Sequence, residues 1–250
     1  AVSSLLARRD PEVEHPLPSL PSDVCFSDPL FLDLEAVADF EESEEARLLV
    51  NTPSFQVRLA LLRESTEVEY GEVAALKREV ADVLWRHFQL NHLNPETERG
   101  WSYRHFQQAG GQRLQAFALY QAVQEHRQTG IGTEEEDPLS GSVFPGDGAS
   151  SVMNVLVDRY RDRIEYHQYL QWQLELQLAS AGQRSMELGL KVGLTQTIPA
   201  GVDSQGFAVW YEPALFGTPF LAQSATEDRS CWPEGPPVLM SRLEIGRAHV

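Results

Sequence analysis

Between about Glu72 and Leu93 the apolar residues Val73, Leu76, Val80, Val83 or Leu84, and Phe88 step along the chain by three and four. Lys77, Arg78, Glu79, Asp82 and Arg86 fill the positions between. That spacing places one residue type on one side of a helix. Asn94-Pro95 ends it, because the residue before a proline is turned away from helical backbone. The spacing returns in DRIEYHQYLQWQLELQL (162–178), where Ile164, Leu170, Leu174 and Leu178 form a stripe with His167 between them. Tyr166, Tyr169 and Trp172 fall on its flanks. Such a helix is either a packed scaffold with aromatic edges or a surface on which sugar rings stack; the packed scaffold is the expectation. A third stripe, Leu114, Phe117 and Val123, follows a break at Gly110-Gly111.

The remaining stretches complete a mostly α outline. Residues 10–29 hold five prolines and read as a surface loop. LFLDL (30–34) reads as a short strand. EAVADFEESEEARLLV (35–50) reads as an acidic helix whose Glu41, Glu42, Glu44 and Glu45 face solvent, and 54–64 continues in helical style. Residues 130–151, with five glycines, two prolines and an acid run, read as a long loop. Helices follow at about 152–161 and 164–181. LGLKVGLTQTI (188–198), bounded by Gly182 and by Pro199–Gly201, reads as a buried strand. There is no internal repeat. A lone buried strand after five or six helices lacks partners, which marks the chain as a piece of a larger fold.

The chain of 250 residues carries a net charge of −17 and a pI near 4.8. Such a surface argues against nucleic acid and anionic membranes as partners and suits neutral or cationic ligands or an acidic proteome. Cys25 and Cys231 are too far apart to signal a disulfide framework or a zinc site, and a reducing compartment, the cytoplasm, is the default. The first residues show no apolar stretch of signal-peptide length, and no apolar run reaches membrane-spanning length. His15, His87, His92, His105, His126, His167 and His249 include no helical pair with a supporting carboxylate, so no metal site is expected. The phosphate-binding glycine patterns and the nucleophile-elbow pattern are absent. Glu134–Asp137 lacks the alternation of a calcium loop. The residues alone describe an acidic, cytoplasmic, mostly helical protein.

Several stretches, taken in order, resemble 4-α-glucanotransferases of the amylomaltase type, glycoside hydrolase family 77, in the bacterial long form. DPLFLDLEAVADFEESEEA (28–46) resembles the family's short strand and acidic helix after the second barrel strand. VEYGEVAALKREVADVLWRHF (68–88) is similar to its valine-aspartate-tyrosine entry into an alanine-leucine-lysine helix. VFP (143–145) stands where the family has an aromatic-proline pair, and YLQWQLELQL matches its tyrosine-x-tryptophan-leucine-glutamine-tryptophan helix. MELGLKVGLTQTIPAGVDSQGFAVW (186–210) looks like the third barrel strand and the loop to its tryptophan, and CWPEGPP (231–237) faintly resembles the glycine-glutamine-x-tryptophan-glycine turn. The resemblance covers roughly residues 10–238.

It implies a mostly α fragment of an α/β (β/α)₈-barrel enzyme, divided into four parts. Residues 1–34 would follow barrel strand 2, 35–185 would be a helical insertion, 186–238 would hold strand 3 and its loop, and 239–250 would be a non-native tail. The 162–178 helix would shape the insertion and carry no catalytic group, and the partners of the 188–198 strand would lie outside the chain. The chemistry implied is α-retaining transfer between maltodextrins by two carboxylates about 5–5.5 Å apart. Those groups fall beyond residue 250, so no carboxylate here inherits a catalytic role. Trp232, and after it Trp210, are the candidate substrate-binding residues. No cofactor is expected.

The departures from the family pattern are specific. The tyrosine of its serine-proline-tyrosine-serine turn is missing from PSLPSD (18–23). Thr197 stands where the family's third strand ends in aspartate, and a threonine supplies neither charge nor paired acceptor oxygens. Ser230-Cys231 replaces a glycine-glutamine. A catalytically degenerate glucan-binding or scaffolding module of a larger maltodextrin or trehalose enzyme is therefore the alternative, and an unrelated helical interaction protein the second. EIGRAHV (244–250) back-translates as GAG-ATC-GGA-AGA-GCA-CAC-GTC. That run looks like a short-read sequencing adapter, which continues in frame into a stop codon, so the tail is expected to be an artefact in which Arg247 and His249 have no role.

Overall fold

The computed structural model describes residues 5–8, 21–128, 150–195 and 201–213. The acidic stretch forms two short helices, α1 (Ala38–Glu42) and α2 (Glu44–Val50). Ser43 breaks them: its backbone is extended, and its Oγ accepts from Ala46 N at 3.1 Å, capping α2. Thr52 and Pro53 start α3 (Pro53–Glu64) with an N-cap and a first-position proline. The clearest predicted helix is α4 (Tyr70–Phe88), continued by a wide π turn over Gln89–Leu93. Next comes α5 (Glu98–Gln128), broken at Gly111, whose φ of 54° and ψ of −147° lie outside helical backbone. Then α6 (Ser150–Arg159), α7 (Arg161–Glu187) and the short α8 (Phe207–Tyr211) complete the described chain. The break expected at Gly110-Gly111 is present: Gly111 divides α5 into two helices that meet at a kink. Glu41, Glu42, Glu44 and Glu45 are exposed, as a solvated face requires.

Helix α7 packs on both α4 and α5, α1–α3 pack on α4 with Asp39 of α1 also reaching α5 and α7, and α8 packs on the C-terminal half of α5. Burial on two sides explains a departure from the sequence reading. Tyr169 and Trp172, assigned to the flanks of the 162–178 stripe, are 1% and 5% exposed and sit at the centre of the core. The ring of Phe88 lies 5.1 Å from Tyr169, 5.4 Å from Tyr103 and 5.4 Å from Trp172, with Trp85 5.4 Å from Tyr169. Their polar tips are satisfied. Tyr103 Oη donates to the Glu165 carbonyl at 2.8 Å, and Tyr169 Oη donates to Asp39 Oδ2 at 2.7 Å. Leu76, Val80, Leu84, Leu170 and Leu174 fill in around them.

Two predicted strands are not strands. At 30–34 the Asp28-Pro29 pair dominates: Asp28 Oδ1 accepts from Leu30 N at 2.9 Å and caps a 3₁₀ turn over Pro29–Phe31. The Leu30 and Leu32 carbonyls go to Lys77 Nζ, at 2.6 and 2.8 Å, in place of a neighbouring strand. At 188–195, α7 runs on to Glu187 and closes by Leu188 N donating to Arg184 O at 3.1 Å. Gly189 (φ 86°) and Gly193 (φ 72°) then reverse the chain. Leu188, Leu190 and Val192 are 68%, 54% and 82% exposed, so the apolar run buries nothing. Residues 196–198 lie outside the described residues. No β-strand forms among the described residues, although Leu6 and Ser27 make an isolated antiparallel bridge. The 10–29 loop is also corrected in part, because Pro21, Ser22 and Asp23 are buried.

A charged network ties α4, α5 and α7 beside the aromatic core. Glu125 receives two bonds from Arg163, Nη2 at 2.6 Å and Nε at 2.9 Å, while Arg163 Nη1 reaches Asp82 at 2.8 Å. His167 Nε2 lies 3.2 Å from the same carboxylate. Burial pushes the Glu125 carboxyl up, but His167 and Arg163 outweigh it and hold its pKa at about 2. Burial likewise lowers the pKa of His167. Both shifts have one sign: the folded state resists taking up these protons, so stability present near neutrality is lost as pH falls through the unfolded values.

Two expectations follow from this packing. Phe88→Ala removes the ring that five others contact and should cost about 3–5 kcal/mol in urea unfolding, whereas Leu90→Ala, 68% exposed, should change stability by less than about 0.5 kcal/mol. Glu125→Gln should be less stable than the parent chain at pH 7, because Arg163 keeps only Asp82 as a charged partner. Between about pH 4.5 and pH 2 it should also lose less stability than the parent, by on the order of 2–3 kcal/mol. Urea midpoints at pH 7, 5 and 3 measure both, and parallel pH profiles would refute the assignment.

Candidate functional site

Of the two tryptophans singled out in the sequence, Trp232 lies outside the described residues, as do Thr197, Ser230-Cys231, residues 143–145, residues 18–20 and the tail 239–250. Trp210 lies on α8. Its ring packs 5.9 Å from Tyr120 and 5.9 Å from Phe207, and its indole N–H is buried without a partner. The turn that carries it is stitched to the N-terminal stretch by backbone bonds. Asp203 N donates to Pro21 O at 2.9 Å, Ala208 N to Ser22 O at 2.9 Å, and Ser22 N to Ala7 O at 2.7 Å. Ser22 Oγ accepts from Phe207 N at 2.9 Å. At Gly206 a Cβ would lie 2.8 Å from the Ser22 backbone, so no side chain fits there. Thus the end of the 18–23 turn and the 201–210 turn, far apart in sequence, meet.

Arg113 of α5 fixes this junction. Its Nη2 donates to Asp23 at 2.7 Å and its Nη1 to Glu212 at 3.1 Å, and the guanidinium lies 5.3 Å from the centre of the Tyr211 ring. Asp23 is fully buried. Burial raises its pKa, against the pull of Arg113 and of the Cys25 N–H at 2.6 Å. The thiol of Cys25 is pushed up by burial and by the Asp23 charge, which makes it a poor nucleophile.

A second cluster was invisible in the sequence. Ligand-type atoms of Asp39, Glu42, His87 and His92 lie within 4.8 Å of one another. The two histidines come from α4 and its π turn, and the two acids are three residues apart on α1. Arg99 enters this group. Its Nη2 and Nη1 clasp Asp39 at 2.6 and 3.1 Å, and Nη1 also lies 3.3 Å from Glu42 and 3.0 Å from His92 Nε2. The guanidinium fills the position a metal ion would take, and the arrangement works as an ion network closing α1 onto α4 and α5.

The third feature is a cavity of about 120 Å³ between the Asp28–Leu34 stretch, α4, the end of α5 and α7. Lys77, read in the sequence as a surface charge, points its amine into this region and holds the 3₁₀ turn. Arg8, Asp28 and Glu125 line it as well, none of them marked by any sequence signal.

Among the described residues no helix is long and apolar enough to cross a membrane. A family model described as 4-alpha-glucanotransferase, glycoside hydrolase family 77, matches residues 4–222. Curated relatives include 4-alpha-glucanotransferases of Mycobacterium bovis and Mycobacterium tuberculosis, each 29% identical over 197 residues, covering 78% of this chain and 25% of theirs. One from Haemophilus influenzae is 22% identical over 192 residues, covering 75% and 27%. The chain thus spans about a quarter of the length of the curated relatives it matches. In fold it is similar to the amylomaltase of Corynebacterium glutamicum, with a TM-score of 0.60 at 18% identity, over 86% of this chain and 26% of that one. These matches set aside the reading as an unrelated helical interaction protein: the chain belongs to the 4-alpha-glucanotransferase family, glycoside hydrolase family 77.

Proposed function

We propose that the chain is the helical insertion between the second and third strands of a (β/α)₈-barrel 4-α-glucanotransferase. In this reading residues 1–34 follow strand 2, residues 35–185 are the insertion, and residues 186–238 lead through strand 3 into its loop. The observation that carries it is the family match over 4–222, joined to a helical frame similar to that of an amylomaltase. The exposed run from Leu188 to Leu194 supports it further, because apolar residues left in solvent are what a segment deprived of its neighbours in a larger fold presents.

The full-length parent would act in the cytoplasm and move α-1,4-glucan segments between maltodextrins with retention. One carboxylate attacks the anomeric carbon; a second protonates the leaving oxygen and then activates the acceptor hydroxyl. The carboxylates described here do other work. Asp39 is held by Arg99 and Tyr169, Glu125 by Arg163, Asp28 by Arg8 and Asp23 by Arg113. A catalytic pair needs one free nucleophile and one acid raised in a cleft, and none of these four is free to be either. Trp232 and Trp210 are the aromatics proposed to contact sugar.

The purified 250-residue chain should release no glucose from maltotriose above a heat-killed control. The parent reading frame should release glucose and build longer maltodextrins. Activity of the isolated chain would refute the placement of the catalytic carboxylates. An inactive parent that still binds maltodextrin would favour the degenerate glucan-binding module. In an active parent, Trp232→Ala should lower kcat/KM about 10-fold, or ~1.4 kcal/mol. Trp210→Phe, which keeps the ring contacts and removes the N–H, should leave the thermal midpoint near the parent's, and unchanged kinetics in both variants would remove both residues from the site.

A further inference from the structure

The cavity beside Lys77 combines two linings. One is apolar, made by Leu30, Leu32, Leu34, Leu170 and Tyr166; the other is charged. Arg8 Nε donates to Asp28 Oδ2 at 2.6 Å and the guanidinium lies 4.8 Å from the centre of the Tyr70 ring, yet its Nη2 is buried with no hydrogen-bond partner. A buried guanidinium hydrogen left unpaired is costly and marks a place for an acceptor. Lys77 Nζ gives two bonds to the Leu30 and Leu32 carbonyls, and an ammonium has three hydrogens to give.

The charge count points the same way. Arg8, Lys77 and Arg78 face Asp28 and Glu125 in the lining, an excess of one positive charge. Adding the next pair, Arg163 and Asp82, leaves the excess unchanged. Asp28 is already committed to Arg8 Nε and to Leu30 N, and Asp33, which also attracts Lys77, sits at the exposed surface. Burial disfavours the Lys77 charge, so an anion brought alongside it would be favoured. All this occurs in a chain whose net charge is −17.

We propose that this cavity is a binding site for a small monocarboxylate with a short apolar tail. Its head would meet Arg8 Nη2 and Lys77 Nζ, and its tail would lie against Leu32, Leu170 and Tyr166. The volume of about 120 Å³ is somewhat below that of an engineered apolar cavity of about 150 Å³ that admits benzene, which suits an acid of four or five carbons. A phosphate fits worse, because the excess charge is only one and half of the lining is apolar. The site is independent of the glucan-transfer reading and stands or falls without it.

Isothermal titration of the full chain with butyrate, with its neutral isostere butyramide and with inorganic phosphate tests the proposal. Butyrate should bind one to one with a Kd of about 1 mM or tighter and raise the melting temperature. Butyramide and phosphate should bind at least about tenfold more weakly, and Arg8→Gln should weaken butyrate about tenfold or more. Ala74→Met, which fills the cavity and keeps both charges, should abolish binding and covers the case in which Arg8→Gln fails to fold. The proposal is overturned by any of four results: no saturable binding of butyrate, equal binding of butyramide, phosphate binding as tightly as butyrate, or butyrate affinity unchanged in the folded variants.

Discussion

The structure depends on one buried carboxylate and the rings stacked beside it. Asp39 is fully buried against Arg99, and its Oδ2 accepts the Tyr169 hydroxyl from a helix 130 residues away in sequence. Taking a carboxylate out of water is affordable only when each oxygen has a partner. Here the partners arrive from α5 and α7 together, so the ionic contact forms only when those helices have docked on α1. The same docking brings Phe88 against Tyr103, Tyr169 and Trp172. Apolar burial drives the assembly, and the Asp39 pair selects one arrangement among those that would bury similar area.

The helices were legible because their signal is local. A spacing of three and four over twenty residues leaves one answer, and Gly110-Gly111 and Asn94-Pro95 mark ends with chemistry that acts within a residue or two. The strands were misread for a related reason. A short apolar run fits a buried strand and a turn equally well, and only the fate of its carbonyls decides. At Leu30 and Leu32 they went to Lys77, a choice made 45 residues downstream. The flanking tyrosine and tryptophan of 162–178 were placed by assuming one buried face, when α4 and α5 enclose two.

The ionic groups were illegible for a stronger reason. Glu42 belongs to the acid run and Asp39, three residues before it, carries no mark of its own, yet Glu42 is exposed and Asp39 fully buried. Glu125 and Arg163 are 38 residues apart and carry no periodic mark. Their roles follow from helix docking, which no spacing rule encodes. Family likeness succeeded where residue chemistry stopped, because it compares whole stretches in order and needs no account of what each residue touches.

The kink at Gly111 has a mechanical side. It divides α5 between two cores: Tyr103 upstream belongs to the Phe88 cluster, whereas Phe117 and Tyr120 downstream pack with Ala7 and Phe207, and Leu119 and Val123 with Leu156 and Tyr160. The backbone there has turned out of helical geometry, so the ladder of amide bonds that would pass rigidity along a helix is cut at that point. The two halves are therefore held by different neighbours rather than by one continuous helix, and the bonds of Arg163 to Glu125 and Asp82 are what tie the second half back to α4.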